Sequence, residues 1–97
     1  MKLIWTKHGI NRGYLRVGKD YGMDLIEKKI KKNINRATIN SKGDEAMVPF
    51  NLDGQWYVSI LIPRGKSGLS CVIKTMYPIS DQKYRHIWKK SPNYKNF

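Results

Sequence analysis

The sequence predicts an α+β domain in which two helices precede a β-sheet. Before residue 36, apolar residues recur at three- and four-residue steps, as on the buried side of an amphipathic helix. After residue 45, apolar and polar residues alternate, and turn signals separate the alternating runs. The chain has 97 residues without an internal repeat, so we expect a single domain over residues 1–97.

The first predicted helix covers residues 7–16, and Thr6 is a suitable N-cap for it. Ile10 and Tyr14 are four residues apart and would face inward. A second stripe at the same spacing is polar and consists of His8, Arg12 and Arg16. This helix therefore presents a histidine directly beside an arginine.

The second predicted helix covers residues 20–35 after a turn at "VGKDYG". Its apolar stripe consists of Met23, Ile26, Ile30 and Ile34. Its outer face carries Lys28, Lys29, Lys31 and Lys32. A lysine run of this kind is either a solvated helix face or a contact to an RNA backbone.

Three strands are predicted at "MVPFNL", "WYVSILIP" and "LSCVIKTMYP", with a weaker one at "ATINS". Asp53-Gly54 is a two-residue hairpin signal, and Pro63 and Pro78 are expected to end their strands. The sheet is therefore predicted to be a twisted antiparallel meander with both helices on one face. Ser80 would cap a short last helix, and residues 89–97 would form a basic, mobile tail.

The charge of the chain points to an anionic partner. Lys and Arg number 19 against 7 Asp and Glu, which gives a formal net charge of +12. Such an excess destabilises the compact state by self-repulsion, and nucleic acid, an anionic membrane surface or an acidic protein would relieve it. The 3 Trp, 6 Tyr and 2 Phe favour nucleic acid, because rings stack on bases while cations meet phosphates.

Several other classes do not fit the residues. The single cysteine, Cys71, cannot form an internal disulfide, so we expect a core residue and a reducing site of action. No apolar run is long enough to span a membrane, and one Cys with two His cannot supply a zinc site. "GKSG" resembles the end of a phosphate-binding loop, but Ile60 stands where the motif needs a glycine, so no nucleotide cofactor is expected.

The strand end "KTMYP" is a second candidate site. Thr75 and Tyr77 are expected on one face of the strand with Cys71 and Ile73, and Lys74 and Met76 on the other. A strand end before a proline can present polar side chains to a cleft. Thr75 and Tyr77 can also be ordinary strand-forming residues without a function. A lone histidine such as His8 is likewise often a structural or surface residue.

Together, the helix with "KHGINR", a second helix, the meander and the strand "VIKTMYP" resemble the barnase–EndoU–colicin–RelE superfamily of small toxin ribonucleases. The resemblance covers residues 3–79. It implies a catalytic set of His8, Arg12, Thr75 and Tyr77, with Lys7 and Arg16 as additions. The family varies this set widely, so Lys74 and His86 stay open as replacements for one member.

The resemblance also implies cleavage of RNA without a metal or cofactor. The ribose 2′-OH would attack the adjacent phosphorus and leave a 2′,3′-cyclic phosphate and a 5′-OH. Histidine suits the proton transfers, because its unperturbed pKa is about 6.5, and arginine suits the phosphate. Further contacts to RNA are expected from Lys7, Arg16, Lys28, Lys32, Arg64, Lys66 and Lys74.

A ribonuclease of this kind would need an acidic immunity protein or antitoxin. The expected site of action is the cytoplasm of a target or host bacterium, with tRNA as a candidate substrate. The chain would be either a stand-alone toxin or the C-terminal domain of a secreted effector. Two other functions remain open: a non-catalytic RNA- or DNA-binding module, and a small phage or plasmid protein that inhibits an acidic host protein.

Overall fold

The computed structural model describes residues 2–17, 20–40, 42–64 and 70–86. These residues form an α+β fold around one mixed sheet. In chain order the elements are β1 (Lys2–Trp5), α1 (Lys7–Gly9), a π-helical turn (Ile10–Tyr14), α2 (Leu15–Val17), α3 (Met23–Lys32), a 3-10 turn (Ile34–Arg36), β2 (Thr38–Ile39), β3 (Ala46–Leu52), β4 (Gln55–Arg64), β5 (Ser70–Ile79) and α4 (Asp81–Tyr84).

The sheet has five strands in the order β1-β5-β4-β3-β2. Neighbours from β5 to β2 are antiparallel, whereas β1 runs parallel to β5, from Lys2 opposite Ser70 to Trp5 opposite Ile73. The prediction of a wholly antiparallel sheet was therefore wrong. The four residues of β1 are too few to show an alternating pattern, and the partner strand lies at the other end of the sequence.

One face of the sheet carries the main core. Ile26 and Ile30 of α3 are fully buried there against residues of β3 and β5, as the helical spacing predicted. The second face carries a smaller cluster around Val58, Ile60 and Ile79. Tyr84 of α4 closes that cluster by stacking on Trp56, with ring centroids 3.6 Å apart.

The helix caps and the hairpin turn agree with the sequence. The hydroxyls of Thr6 and Ser80 accept hydrogen bonds from backbone N–H groups at the starts of α1 and α4. Asp53 and Gly54 both have positive φ, 51° and 89°, as a two-residue turn between β3 and β4 requires. The second helix is shorter than expected: α3 covers Met23–Lys32, and a 3-10 turn follows it.

Pro63 and Pro78 do not end their strands, which continue to Arg64 and Ile79. At each proline one neighbouring strand has already stopped pairing. β3 pairs with β4 only up to Leu61, and β1 pairs with β5 only up to Ile73. A proline that faces a single partner strand is tolerated, because its missing N–H interrupts no second ladder.

A β-bulge corrects the predicted faces of β5. Ile60 of β4 lies opposite Thr75, but Leu61 lies opposite Ile73, so Lys74 has no cross-strand partner. The extra residue reverses the alternation. Met76 therefore joins Cys71 and Ile73 in the main core. Thr75 and Tyr77 share the other face, opposite Ile60 and Val58, rather than the face of Cys71 and Ile73.

Two predicted features fall outside the described residues: the "GKSG" turn at residues 65–68 and the tail at residues 89–97. Within the described ranges, no helix is both long enough and apolar enough to cross a membrane.

Candidate functional site

The helical residues 7–17, here called the edge helix, lie along the edge of β5 just beyond the point where β1 stops. Gly9 and Gly13, the buried residues of this helix, make that approach possible. A Cβ atom on Gly9 would lie 2.2 Å from the carbonyl oxygen of Ile73. One on Gly13 would lie 2.9 Å from the backbone nitrogen of Met76. The edge helix therefore covers the strand edge with its backbone.

The middle of the edge helix is a π-helical turn, a feature that recurs at functional sites. The Thr75 hydroxyl donates a hydrogen bond to the Arg12 carbonyl oxygen, with 3.3 Å between the two oxygens. This bond joins the two sequence segments that carry the predicted catalytic residues.

The exposed side of the edge helix is largely polar but includes Leu15, which is 50% exposed. His8 and Arg12 are both exposed, as are Lys7 and Arg16. None of these four side chains forms a hydrogen bond or ion pair with another described residue. They are positioned by the glycine contacts beneath them and remain accessible to a ligand.

Tyr77 lies two residues beyond Thr75 on the same face of β5, and its exposed fraction is 41%. Two residues of strand span roughly 7 Å. His8 precedes Arg12 by four residues, which is roughly 6 Å of helix. Arg12 and Thr75 thus form the centre of the candidate site, with His8 before them on the helix and Tyr77 beyond them on the strand.

Lys74, a predicted RNA contact, is already paired. Its ammonium group lies 2.6 Å from the carboxylate of Glu45. That hydrogen bond raises the pKa of Lys74 above its ordinary value. A phosphate at Lys74 would have to compete with this carboxylate. Of the other predicted contacts, Lys28, Lys32 and Arg64 are exposed, and Lys66 lies outside the described residues.

A second cationic region lies where the end of α3 meets β3, near the opposite edge of the sheet from the edge helix. It is a groove of about 310 Å³, here called the Trp56 groove. Its described lining residues are Lys29, Lys32, Asn33, Arg36, Asn51 and Trp56. Lys32 was among the predicted RNA contacts, whereas Arg36 and Trp56 were not. Lys32 and Arg36 are four residues apart in the sequence, whereas Trp56 joins them only through the packing of the end of α3 against the sheet.

His86 lines a depression next to α4 together with Ser80, Gln82, Lys83 and Arg85. Within the described residues, no three His, Cys, Asp or Glu side chains are grouped closely enough to hold a metal ion.

Comparison of the chain with protein-family models, with curated proteins and with solved structures found no match.

Proposed function

We propose that the protein is a metal-independent endoribonuclease toxin with its active site at the edge helix and β5. The observation that carries this proposal is the hydrogen bond from Thr75 to the Arg12 carbonyl, which joins residues 63 positions apart. It brings a histidine–arginine helix beside a threonine–tyrosine strand. The net charge of +12 supports RNA as the ligand.

The chemistry follows from the residue types. The 2′-OH attacks the adjacent phosphorus, and the bond to the 5′-oxygen breaks. A base takes the proton from the 2′-oxygen, and an acid gives a proton to the 5′-oxygen. His8 performs one of these transfers, since imidazole takes up and releases protons near neutral pH. Arg12 holds the phosphate oxygens and stabilises the charge that builds on them.

The remaining two residues complete the site. Tyr77 donates its phenolic hydrogen to the phosphate or stacks on a base. The Thr75 hydroxyl donates to the Arg12 carbonyl without a ligand, and it orients the substrate by donating to a phosphate oxygen instead. In this proposal both N-terminal helices border the RNA-binding face of a twisted sheet.

The biological setting follows from that activity. We propose tRNA as the substrate and the bacterial cytoplasm as the place of action. An acidic immunity protein or antitoxin would neutralise the enzyme by covering the exposed cations of the edge helix. The enzyme would be either a stand-alone toxin or the C-terminal domain of a secreted effector.

The test is to incubate protein made by cell-free synthesis with total cellular RNA in EDTA and to map the ends. We expect fragments with 2′,3′-cyclic phosphate and 5′-OH ends. Intact RNA, or cleavage that EDTA abolishes, would contradict the proposal.

A non-catalytic nucleic-acid-binding module is the second candidate function. The Trp56 groove favours it, because a tryptophan among cations can bind a strand without any chemistry. Salt-dependent binding of RNA that stays intact would select this function over the first.

A further inference from the structure

The Trp56 groove has a composition that the edge helix lacks. Lys29, Lys32 and Arg36 line it together with two asparagines and a tryptophan. None of the three cations forms an ion pair within the described residues. Cations in the last turn of a helix favourably oppose its dipole. That effect explains their presence near the end of α3, but not their grouping around one groove.

The neighbouring residues on α3 do not offset this charge. The helix contains two acidic residues, Asp24 in its first turn and Glu27. The Glu27 carboxylate accepts a hydrogen bond from the indole of Trp5, 2.8 Å away, and so faces the other side of the helix. Lys29 and Lys32 are three residues apart, so they are neighbours on the helix surface and their like charges repel each other. An anionic ligand would remove this repulsion.

The two amides in the groove have complementary unused groups. The Asn33 side-chain N–H donates to the Pro49 carbonyl at 3.0 Å, which leaves the Asn33 oxygen as an acceptor. The Asn51 oxygen accepts from the Gly54 N–H at 2.8 Å, which leaves the Asn51 amide hydrogens as donors. An acceptor and a donor held in this way can pair with the edge of a nucleobase, which offers both kinds of group.

The aromatic wall of the groove is held rigidly. Trp56 stacks on Tyr84 with an interplanar angle of 10°. The Tyr84 hydroxyl accepts a hydrogen bond from the Arg36 guanidinium. Trp56 and Arg36 are therefore both positioned by the same tyrosine before any ligand binds. Pre-positioned groups lose little freedom on binding, which raises affinity.

We propose that the Trp56 groove is a binding subsite for a nucleotide of single-stranded nucleic acid. Lys29, Lys32 and Arg36 bind the phosphates. Trp56 contacts the base, and Asn33 and Asn51 bind its edge. The site is distinct from the edge helix and does not depend on the cleavage reaction. A ring and paired amides fit a base better than they fit the carboxylates of an acidic protein.

The test measures binding of a fluorescent 2′-O-methyl RNA 12-mer by anisotropy at several salt concentrations. This strand lacks the attacking 2′-OH, so binding is read without cleavage. The test variant is Lys29→Gln/Lys32→Gln. The matched control is Lys2→Gln/Lys42→Gln, which removes the same charge from two exposed lysines outside the groove.

We expect the log–log salt slope of the test variant to fall by about 1.4, which corresponds to roughly 25-fold weaker binding at 0.1 M salt. The control should lose less than a third of that slope. Equal losses in both double variants would overturn the proposal, because they would indicate diffuse attraction to the whole surface. Unchanged binding in both would overturn it as well.

A second measurement tests the base contact. Wild-type protein should bind the 12-mer more tightly than an abasic strand of equal length, by roughly 5-fold or more, and Trp56→Ala should remove that difference. Where Trp56→Ala does not fold, Trp56→Phe should reduce it. Equal affinity of the wild type for both strands, or tighter binding of an acidic peptide than of the 12-mer at equal charge, would contradict a nucleotide subsite.

Discussion

Two edges of the sheet lose their partner strand part-way, and the protein covers them differently. Among the described residues, β5 has no partner strand on its outer side beyond Ile73, and β3 has none beyond Met47. At β5 the edge helix closes the edge with its backbone through Gly9 and Gly13. At β3 a single side chain, Asn33, reaches the Pro49 carbonyl.

This difference determines which side chains each edge of the sheet exposes to a ligand. At β5 the glycines Gly9 and Gly13 make the close backbone contact, His8 and Arg12 are exposed, and the Arg12 carbonyl contacts Thr75. The contact at β3 is made through one amide, and the Trp56 groove lies beside it. Proton-transfer groups lie at the first edge and cations with an aromatic ring at the second. We therefore propose cleavage at the first edge and strand binding at the second.

Replacement of Gly9 should have the largest effect on stability. Gly9→Ala places a Cβ 2.2 Å from a backbone carbonyl that cannot move aside easily. We expect a loss of about 3 kcal/mol, the upper end for overpacking, and a Tm lower by about 12 °C or more. Gly22→Ala is the control, since a Cβ there meets nothing within 4 Å. Equal Tm values for the two variants in calorimetry would show that the edge helix does not lie against β5.

Replacement of Asn33 at the β3 edge should lower the stability less than replacement of Gly9. Asn33→Ala removes one hydrogen bond and leaves the Pro49 carbonyl without this partner, which should cost about 1–2 kcal/mol in denaturant unfolding. Asn35→Ala, in the 3-10 turn that follows, is the matched control, and we expect it to be close to neutral. A larger loss in Asn35→Ala than in Asn33→Ala would mean that another contact holds this edge.

A still smaller effect is expected at the junction of the edge helix with β5. Thr75→Val keeps the strand-forming shape and removes the hydroxyl that donates to Arg12. The bond is long, so its loss should cost about 0.5 kcal/mol of stability. Thr75→Ser retains the hydroxyl and should stay near the wild type in the same unfolding assay. Greater destabilisation by serine than by valine would indicate that packing, rather than this bond, matters at residue 75.

The smallest effect concerns the pairing of Lys74 with Glu45. The hydrogen bond raises the pKa of Lys74 from its ordinary value of 10.5. A raised pKa favours the folded state while the amine is protonated, so this contribution is complete below the ordinary pKa and disappears as pH rises through the folded-state pKa. Lys74→Met should flatten the dependence of unfolding midpoint on pH above roughly pH 10. Lys42→Met, at an exposed residue, should leave that dependence unchanged.

Local patterns predicted the helices, the Asp53-Gly54 turn and the strands β3, β4 and β5, because each depends on neighbouring residues. The pairing of β1 with β5 could not be predicted, since Lys2 and Ser70 are brought together only by the folded sheet. The bulge at Lys74 was also hidden, because an alternating sequence does not reveal an unpaired residue. The four-residue spacing of Gly9 and Gly13 is a sign of close packing that the sequence does carry.

Some residues of the candidate sites were likewise chosen from the sequence, and others were missed. His8, Arg12, Thr75 and Tyr77 were chosen by residue type and resemblance, and the contact between Thr75 and Arg12 joins their two segments. The Trp56 groove was missed because its residues come from α3, the 3-10 turn and two strands. Lys29, Lys32, Asn33 and Arg36 do recur at helical spacing, and that polar stripe was a usable sign. Asn51 and Trp56 join it only in the folded protein.

The most direct test of the central claim compares His8→Ala with His86→Ala for cleavage of RNA in EDTA. Both histidines are exposed on short helical segments, so both variants should fold with wild-type Tm values. We expect His8→Ala to cleave roughly 100- to 10,000-fold more slowly than the wild type, the range for loss of a general acid or base. His86→Ala should cleave at the wild-type rate. Wild-type cleavage by His8→Ala would contradict the assignment of the active site to the edge helix.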